Sequence, residues 1–246
     1  MRYAPGFVMM MALGLVACES RGPAVQPQGQ PETPATQALE AGAKLLQGEG
    51  PTDVLDVYLV GFHPLLDDPQ RVMEAHHYCK QVNEDFTQCA LWDGNTNAAN
   101  LVGIEYIISE RLYEQLPVAE RESWHPHDYE ILSGQLQAPG LPAAAELALM
   151  KSKMNSYGKT WHVWHTGPAG DTLPLGPAML AWSFNADGEL PARFLEERDR
   201  AMLLDSQRDR QDRQSLVPLA KPQHGVNRLA DEFPGRELPP GVVSAD

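Results

Sequence analysis

Ala75-His76-His77-Tyr78-Cys79-Lys80-Gln81-Val82-Asn83-Glu84-Asp85-Phe86-Thr87-Gln88-Cys89-Ala90-Leu91-Trp92 is the stretch on which the fold turns. Two runs with strand character, Ala75 to Val82 and Phe86 to Trp92, flank Asn83-Glu84-Asp85, and turn-forming residues midway between strand-like runs read as a hairpin. In such a hairpin Cys79 and Cys89 face each other across the ladder. The pair suits a single disulfide in an oxidising compartment. It also suits a zinc site shared with His77, which lies on the same strand face as Cys79, if the thiols are reduced.

Working outward, Val54 to Val60 is nearly continuous in apolar residues and reads as a buried strand, followed by a loop at Pro64 to Pro69. Strand-like segments recur at Leu101 to Ile108, Lys159 to Thr166 and Pro177 to Phe184. Pro174-Leu175-Gly176-Pro177 reads as a tight turn feeding the last of them. Helices are fewer. Thr36 would cap a short one over Gln37 to Gln47, ending at Gly48. Pro142 suits a first helical turn, after which Ala143, Leu147, Met150 and Met154 recur at helical spacing. A third helix is expected from Pro191 to Leu204, with Phe194, Leu195, Ala201 and Met202 on one side and Glu196 four residues before Arg200. The fold class is therefore α+β: a single domain over residues 37–205, with an antiparallel or mixed sheet flanked by a few helices. Residues 206–246 read as an extended polar tail, and no internal repeat is present.

The N-terminus carries a different signal. An apolar run from Phe7 ends in Leu15-Val16-Ala17-Cys18, a lipobox, so residues 1–17 read as a lipoprotein signal peptide and Cys18 as the diacylated first residue. The run is too short to span a bilayer, which needs roughly 20 residues. Residues 18–36, rich in Pro, Gln and Gly, read as a disordered tether. These features predict a bacterial lipoprotein in the cell envelope, facing the periplasm and attached to the membrane through its anchor. Glu19-Ser20 lacks the inner-membrane retention aspartate, so the outer membrane is expected. A formal net charge of −14 makes nucleic acid and anionic membrane surfaces poor partners.

Six of the eight histidines fall in three close pairs: His76 with His77, His125 with His127, and His162 with His165. His125 and His127 would share one side of an extended strand. Glu130 would close a two-histidine, one-carboxylate site of the kind used for iron or zinc. His76, His77, His162 or His165 would converge on it from other strands. Pro126 removes a ladder donor at this place. There is no Gly-x-Ser-x-Gly elbow, no phosphate-binding Gly-rich loop and no His-Glu-x-x-His, which demotes the familiar hydrolase and nucleotide chemistries.

Several segments taken together resemble a known family. They are His76-His77-Tyr78-Cys79, Asn83-Glu84-Asp85, Gln88-Cys89, Gly103-Ile104-Glu105-Tyr106-Ile107-Ile108-Ser109, Trp124-His125-Pro126-His127 with Tyr129-Glu130, Tyr157-Gly158-Lys159-Thr160 and Pro174-Leu175-Gly176-Pro177. In this order, over Val54 to Phe184, they resemble the oil-body-associated protein family, a domain of unknown function. The resemblance implies association with lipid-droplet surfaces in plant members and no catalytic residues to carry over. Plant members share the Cys spacing in a reducing cytoplasm, which brings metal or buried thiols level with the disulfide.

The expected function is a non-enzymatic, lipid-anchored module that binds a lipid or an envelope protein through the surface around Trp124, Trp161 and Trp164. The competing expectations are a zinc- or iron-dependent enzyme at the histidine pairs and a purely structural lipoprotein.

Overall fold

Two-residue turns at Leu66-Asp67 and Glu84-Asp85 leave successive strands no option but antiparallel pairing. They join β1 (Val57–Leu65), β2 (Asp68–Asn83) and β3 (Phe86–Trp92), and β3 pairs in turn with β4 (Leu101–Ile108). Three shorter strands follow: β5 (His125–Pro126), β6 (Tyr157–His162) and β7 (Met179–Leu180). In this computed structural model, which describes residues 20–48, 50–167 and 170–246, all pairings are antiparallel in the order β1-β2-β3-β4-β6-β5, with β7 also on β6. The architecture is thus a single α+β domain, and the mixed-sheet option falls away. Cys18 and the lipobox lie outside the described residues.

The sheet curls until its far side returns to its first strand. Leu66 N donates to Leu180 O at 2.9 Å and Trp182 N donates to Pro64 O at 2.9 Å, tying the segment at β7 back to β1. Two expectations change as a result. The expected loop at Pro64 to Pro69 shrinks to the turn Leu66-Asp67: Pro64 and Leu65 end β1, Asp68 and Pro69 begin β2, and Pro64, lacking an N–H, serves the sheet through its carbonyl. The segment expected to be a strand from Pro177 to Phe184 is strand only at Met179–Leu180, because the chain then leaves β6 to bridge to β1.

The helices are α1 (Pro34–Leu46), α2 (Glu110–Tyr113), α3 (Val118–Arg121), α4 (Asp128–Leu132), α5 (Ala143–Lys153), α6 (Ala192–Met202) and α7 (Ser206–Asp212). α1 starts earlier than expected: Thr33 is its cap, accepting from Thr36 N at 3.2 Å, and Pro34 takes the first-turn position. Phe62, Ile131, Met150, Trp182 and Phe184 form the centre of the largest apolar core. Each such side chain contributes roughly 1.5–3 kcal/mol on burial.

The described start of the N-terminal segment touches the body, and the C-terminal segment is packed into it. Arg21 pairs with Glu74 at 2.9 Å, and Val25 O accepts from Asn100 Nδ2 at 2.9 Å, so the start of the expected tether lies against the sheet. Residues 206–246 are not an extended polar tail. They contain α7 and bury Leu216, Val226, Leu229, Phe233 and Val242 in the main core. The composition misleads because Arg213 is fully buried and spends its charge on structure, donating to Ile131 O at 2.7 Å and Leu136 O at 2.8 Å. Those carbonyls belong to α4 and the loop behind it. No helix among the described residues is long and apolar enough to cross a membrane.

Candidate metal centre

Strand alternation puts residues two apart on one face, and the curl gathers one face of the sheet into an interior. His63 enters it from β1, His77 from β2, Glu105 from β4 and His162 from β6. His125 comes from β5, paired with Gly158 in β6, while His127 stands immediately before α4 and Glu130 lies within it. All seven residues are buried, none more than 4 % exposed.

Glu105 is the hub. Its Oε2 lies 2.8 Å from His77 Nε2 and 3.8 Å from His63 Nε2. Its Oε1 lies 3.2 Å from His127 Nε2 and 3.6 Å from His125 Nε2. Glu130 Oε2 stands 4.0 Å from His127 Nε2. His63, Glu105 and His125 each offer one ligand atom within 4.8 Å of the others, and so do His125, His127 and Glu130.

Gly158 makes the gathering possible. A Cβ there would stand 2.3 Å from Glu105 Oε1 and 2.6 Å from both His125 Nε2 and His127 Nε2. Any side chain at this position would occupy the space on which the donor atoms converge.

The protons do not suffice for a hydrogen-bonded cluster. Ser156 Oγ donates its only hydrogen to Lys153 O at 2.7 Å, so its contact with His127 Nδ1 at 2.8 Å requires His127 to be the donor. In the neutral ring Nε2 then carries a lone pair, aimed at a carboxylate oxygen. Neither nitrogen of His125 has a hydrogen-bond partner, nor does His77 Nδ1. Buried polar atoms left in this way cost about 1–3 kcal/mol each.

Charge is distributed to suit a cation. Burial tends to raise the Glu105 carboxyl, but the N–H that His77 aims at Oε2 from 2.8 Å favours the charged form, and the group sits well below the usual range. Burial lowers His127, drives His63 well below its ordinary value, and takes His162 to about 3. These rings are neutral at pH 7, the form in which imidazole binds metals. Glu130 moves the other way: burial first, then the charge on Glu105, push it well above the carboxylate range.

A second ring of contacts orients the first. His63 Nδ1 faces His162 Nε2 at 3.1 Å. Gln223 accepts from Asp128 N at 3.1 Å and donates to Ser156 O at 3.0 Å, bracing both the start of α4 and the serine behind His127. Trp182 packs edge-on to His125, with ring centroids 6.0 Å apart, and also walls a cavity of about 460 Å³ lined by Tyr113, Arg121, Trp124 and Arg228.

Of the expected ligands, His77, His125, His127, Glu130 and His162 stand together. His76 does not join them, because adjacent strand residues point to opposite faces. Its Nδ1 meets Tyr58 Oη at 2.7 Å and its Nε2 meets Glu74 Oε1 at 3.1 Å. His165 lies past the end of β6, in the wall of a separate cavity with Asp68, Arg71 and Asp171. Cys79 and Cys89 are joined across β2 and β3, so neither offers a thiolate. The expected tryptophan surface does not form. Trp124 and Trp164 are buried, with their N–H groups spent on Glu120 Oε1 and Asp171 O, and only Trp161 is partly open. His63, Glu105 and Gly158 are site residues that the sequence pattern does not single out. The signal for Glu105 was a lone acid in an otherwise apolar strand, a residue type almost never buried without a partner.

Residues 49–217 match the family model described as Protein of unknown function (DUF1264). Oil body-associated protein 1A of Zea mays is 34% identical over 207 residues, covering 84% of this chain and 85% of that protein. Oil body-associated protein 2B of Arabidopsis thaliana is 37% identical over 187 residues, 75% of each chain. Oil body-associated protein 2A of Zea mays is 35% identical over 212 residues, 85% of this chain and 80% of that one. No solved structure matches. These relatives are plant proteins named for oil bodies, which overturns the expected periplasm-facing place at a bacterial outer membrane.

Proposed function

The chain belongs to the DUF1264 family together with the oil body-associated proteins, and from that premise we propose that it is a metal-binding protein, holding a divalent transition metal inside its curled sheet. One observation carries the reading: a buried carboxylate faced by four imidazole Nε2 atoms within 3.8 Å, with neither nitrogen of His125 hydrogen-bonded. A structural cluster would close on itself through shared protons. This one is completed by a cation. Imidazole and carboxylate without thiolate suit iron and zinc. The test is elemental analysis of the full chain, purified without chelator or polyhistidine tag. Metal retained through dialysis and reduced in His125→Ala is the expected result. No metal in the native chain, before or after incubation with zinc or ferrous iron, sinks the reading.

A second reading concerns where the protein acts, and the printed names of the relatives favour it: the chain associates with a lipid surface. Leu39 and Leu46, seven residues apart on one side of α1, are 75% and 83% exposed. With a net charge of −14, a neutral lipid surface fits better than an anionic one. Acylation of Cys18 would add a covalent route and would appear as a lipidated N-terminal peptide in a mass spectrum. Flotation of the full chain with phosphatidylcholine-coated triacylglycerol droplets is expected, reduced several-fold in Leu39→Asp/Leu46→Asp. A chain that stays in the aqueous layer whether or not Cys18 is acylated argues against it.

A further inference from the structure

We infer that the interior takes two metal ions, not one, with Glu105 as the carboxylate that bridges them; this deepens the metal-binding reading and rests on it. The two oxygens of Glu105 serve different histidines. Oε2 faces His63 and His77, from β1 and β2, at 3.8 and 2.8 Å. Oε1 faces His125 and His127, from β5 and the start of α4, at 3.6 and 3.2 Å. Ligand atoms about 2.1 Å from a tetrahedral metal are about 3.4 Å from one another. All four oxygen-to-nitrogen separations lie near that edge length, so each oxygen has two imidazoles at the spacing that ligands of one ion take; the donor sets among the described residues whose atoms all lie within 4.8 Å of one another, His63-Glu105-His125 and His125-His127-Glu130, also number two and share His125.

The donor inventory also exceeds the needs of one ion. Four histidines, Glu105 and Glu130 supply six side chains, whereas a four-coordinate site takes four at most. Glu130 Oε2, 4.0 Å from His127 Nε2, belongs with the His125 and His127 half and fills its fourth corner. Among the described residues the His63 and His77 half has no second carboxylate and keeps an open position, the arrangement that catalytic sites use for water or substrate. His162 is a positioning residue there, facing His63 Nδ1 at 3.1 Å and leaving Nε2 to point at Glu105. Paired ions sharing a carboxylate sit about 3.5–4 Å apart in two-metal sites. The His125 and His127 half opens on the recess above Gly158, where a Cβ would come within 2.6 Å of Oε1, His125 and His127.

The test is the number of ions per chain and whether they sense each other. Metal-stripped full-length protein is dialysed against a series of zinc concentrations, and bound zinc is counted by elemental analysis. Two per chain are expected. His63→Ala and His127→Ala, which strike opposite halves, should each retain about one. The native chain loaded with Mn²⁺ supplies a readout that needs no variant: an exchange-coupled pair in electron paramagnetic resonance is expected. Saturation of the native chain at one ion overturns the bridge while leaving the metal-binding reading intact. Two ions with the spectrum of isolated Mn²⁺ also overturn it, by locating the second ion elsewhere. No bound ion removes both readings.

Discussion

His76 and His77 are neighbours in sequence, both buried, and opposite in circumstance. On the outward side of β2, His76 spends both nitrogens: one on Tyr58, one on Glu74, which is itself paired to Arg21. On the inward side, His77 shares the two oxygens of Glu105 with three other imidazoles and leaves Nδ1 unpartnered. The first network closes, with a donor for each acceptor; the second has acceptors facing acceptors. Burial of a histidine therefore says little about its role. The balance of protons around it separates a structural residue from a ligand.

Chelation should break the comparison most visibly. If the inward cluster binds metal, removing the ion withdraws linked stabilisation of about 4 kcal/mol at a free metal concentration a thousand times the Kd. For a chain of this size each kcal/mol moves Tm by about 2–4 °C, so a drop of roughly 8–16 °C is expected, restored by adding the metal back. Thermal unfolding with and without chelator checks it. The outward network should be indifferent to the treatment.

Next in size is the contrast between His77→Ala and His76→Ala. Loss of a ligand should weaken metal binding by at least about 100-fold, since even outer-shell losses cost 10–100-fold. His76→Ala should leave metal affinity unchanged. It should instead destabilise the fold by about 1–3 kcal/mol by stranding Tyr58 and Glu74. Paired metal titration and denaturant unfolding of the two variants test the crossover. Similar metal losses in both would mean that the sheet transmits damage without regard to face.

Much of this is legible in the amino-acid sequence. The hairpin around Asn83-Glu84-Asp85, with Cys79 opposite Cys89, follows from turn residues set between strand-like runs, and β3 and β4 fall where their β-branched and aromatic residues lie. His125, His127 and Glu130 were visible as a possible ligand set because they are near one another in sequence. His63 and Glu105 were not, because what unites them is the return of the β7 segment to β1, a closure made by single hydrogen bonds with no local signature. Which member of a histidine pair turns inward depends on register, and a one-residue slip reverses it. The C-terminal segment misleads for another reason: a chain rich in Arg, Gln and Asp looks solvated, yet Arg213 and Gln223 are buried as braces on backbone amides and carbonyls around α4.

The smallest effect expected is on pH dependence, and its sign sharpens the comparison further. In the metal-free protein burial holds His162 at about 3 and keeps His63 and His127 below their ordinary value. An unfolded chain takes up protons on those rings as pH falls below about 6.5, and the folded chain does not, so stability is lost on acidification. Glu130 opposes this. Its folded pKa is raised, so between its unfolded value near 4.5 and its folded one it contributes stability that fades as pH rises. Asp128, raised to about 7 by burial, and Glu189 act with Glu130, while His76 and His165, both lowered by burial, act with the other rings; between pH 6.5 and 5 five histidines act against three carboxyls, and the net slope is destabilisation toward acid. Each fully linked group contributes about 1.4 kcal/mol per pH unit. Denaturant unfolding of chelated protein at pH 5, 6 and 7 should show the loss, and His162→Gln should flatten it by about one group's share. With metal bound the slope should steepen, since protons then compete with the ion for the same nitrogens. A native slope of zero, unchanged by His162→Gln, would mean that the inward rings exchange protons with solvent as freely in the folded chain as in the unfolded one.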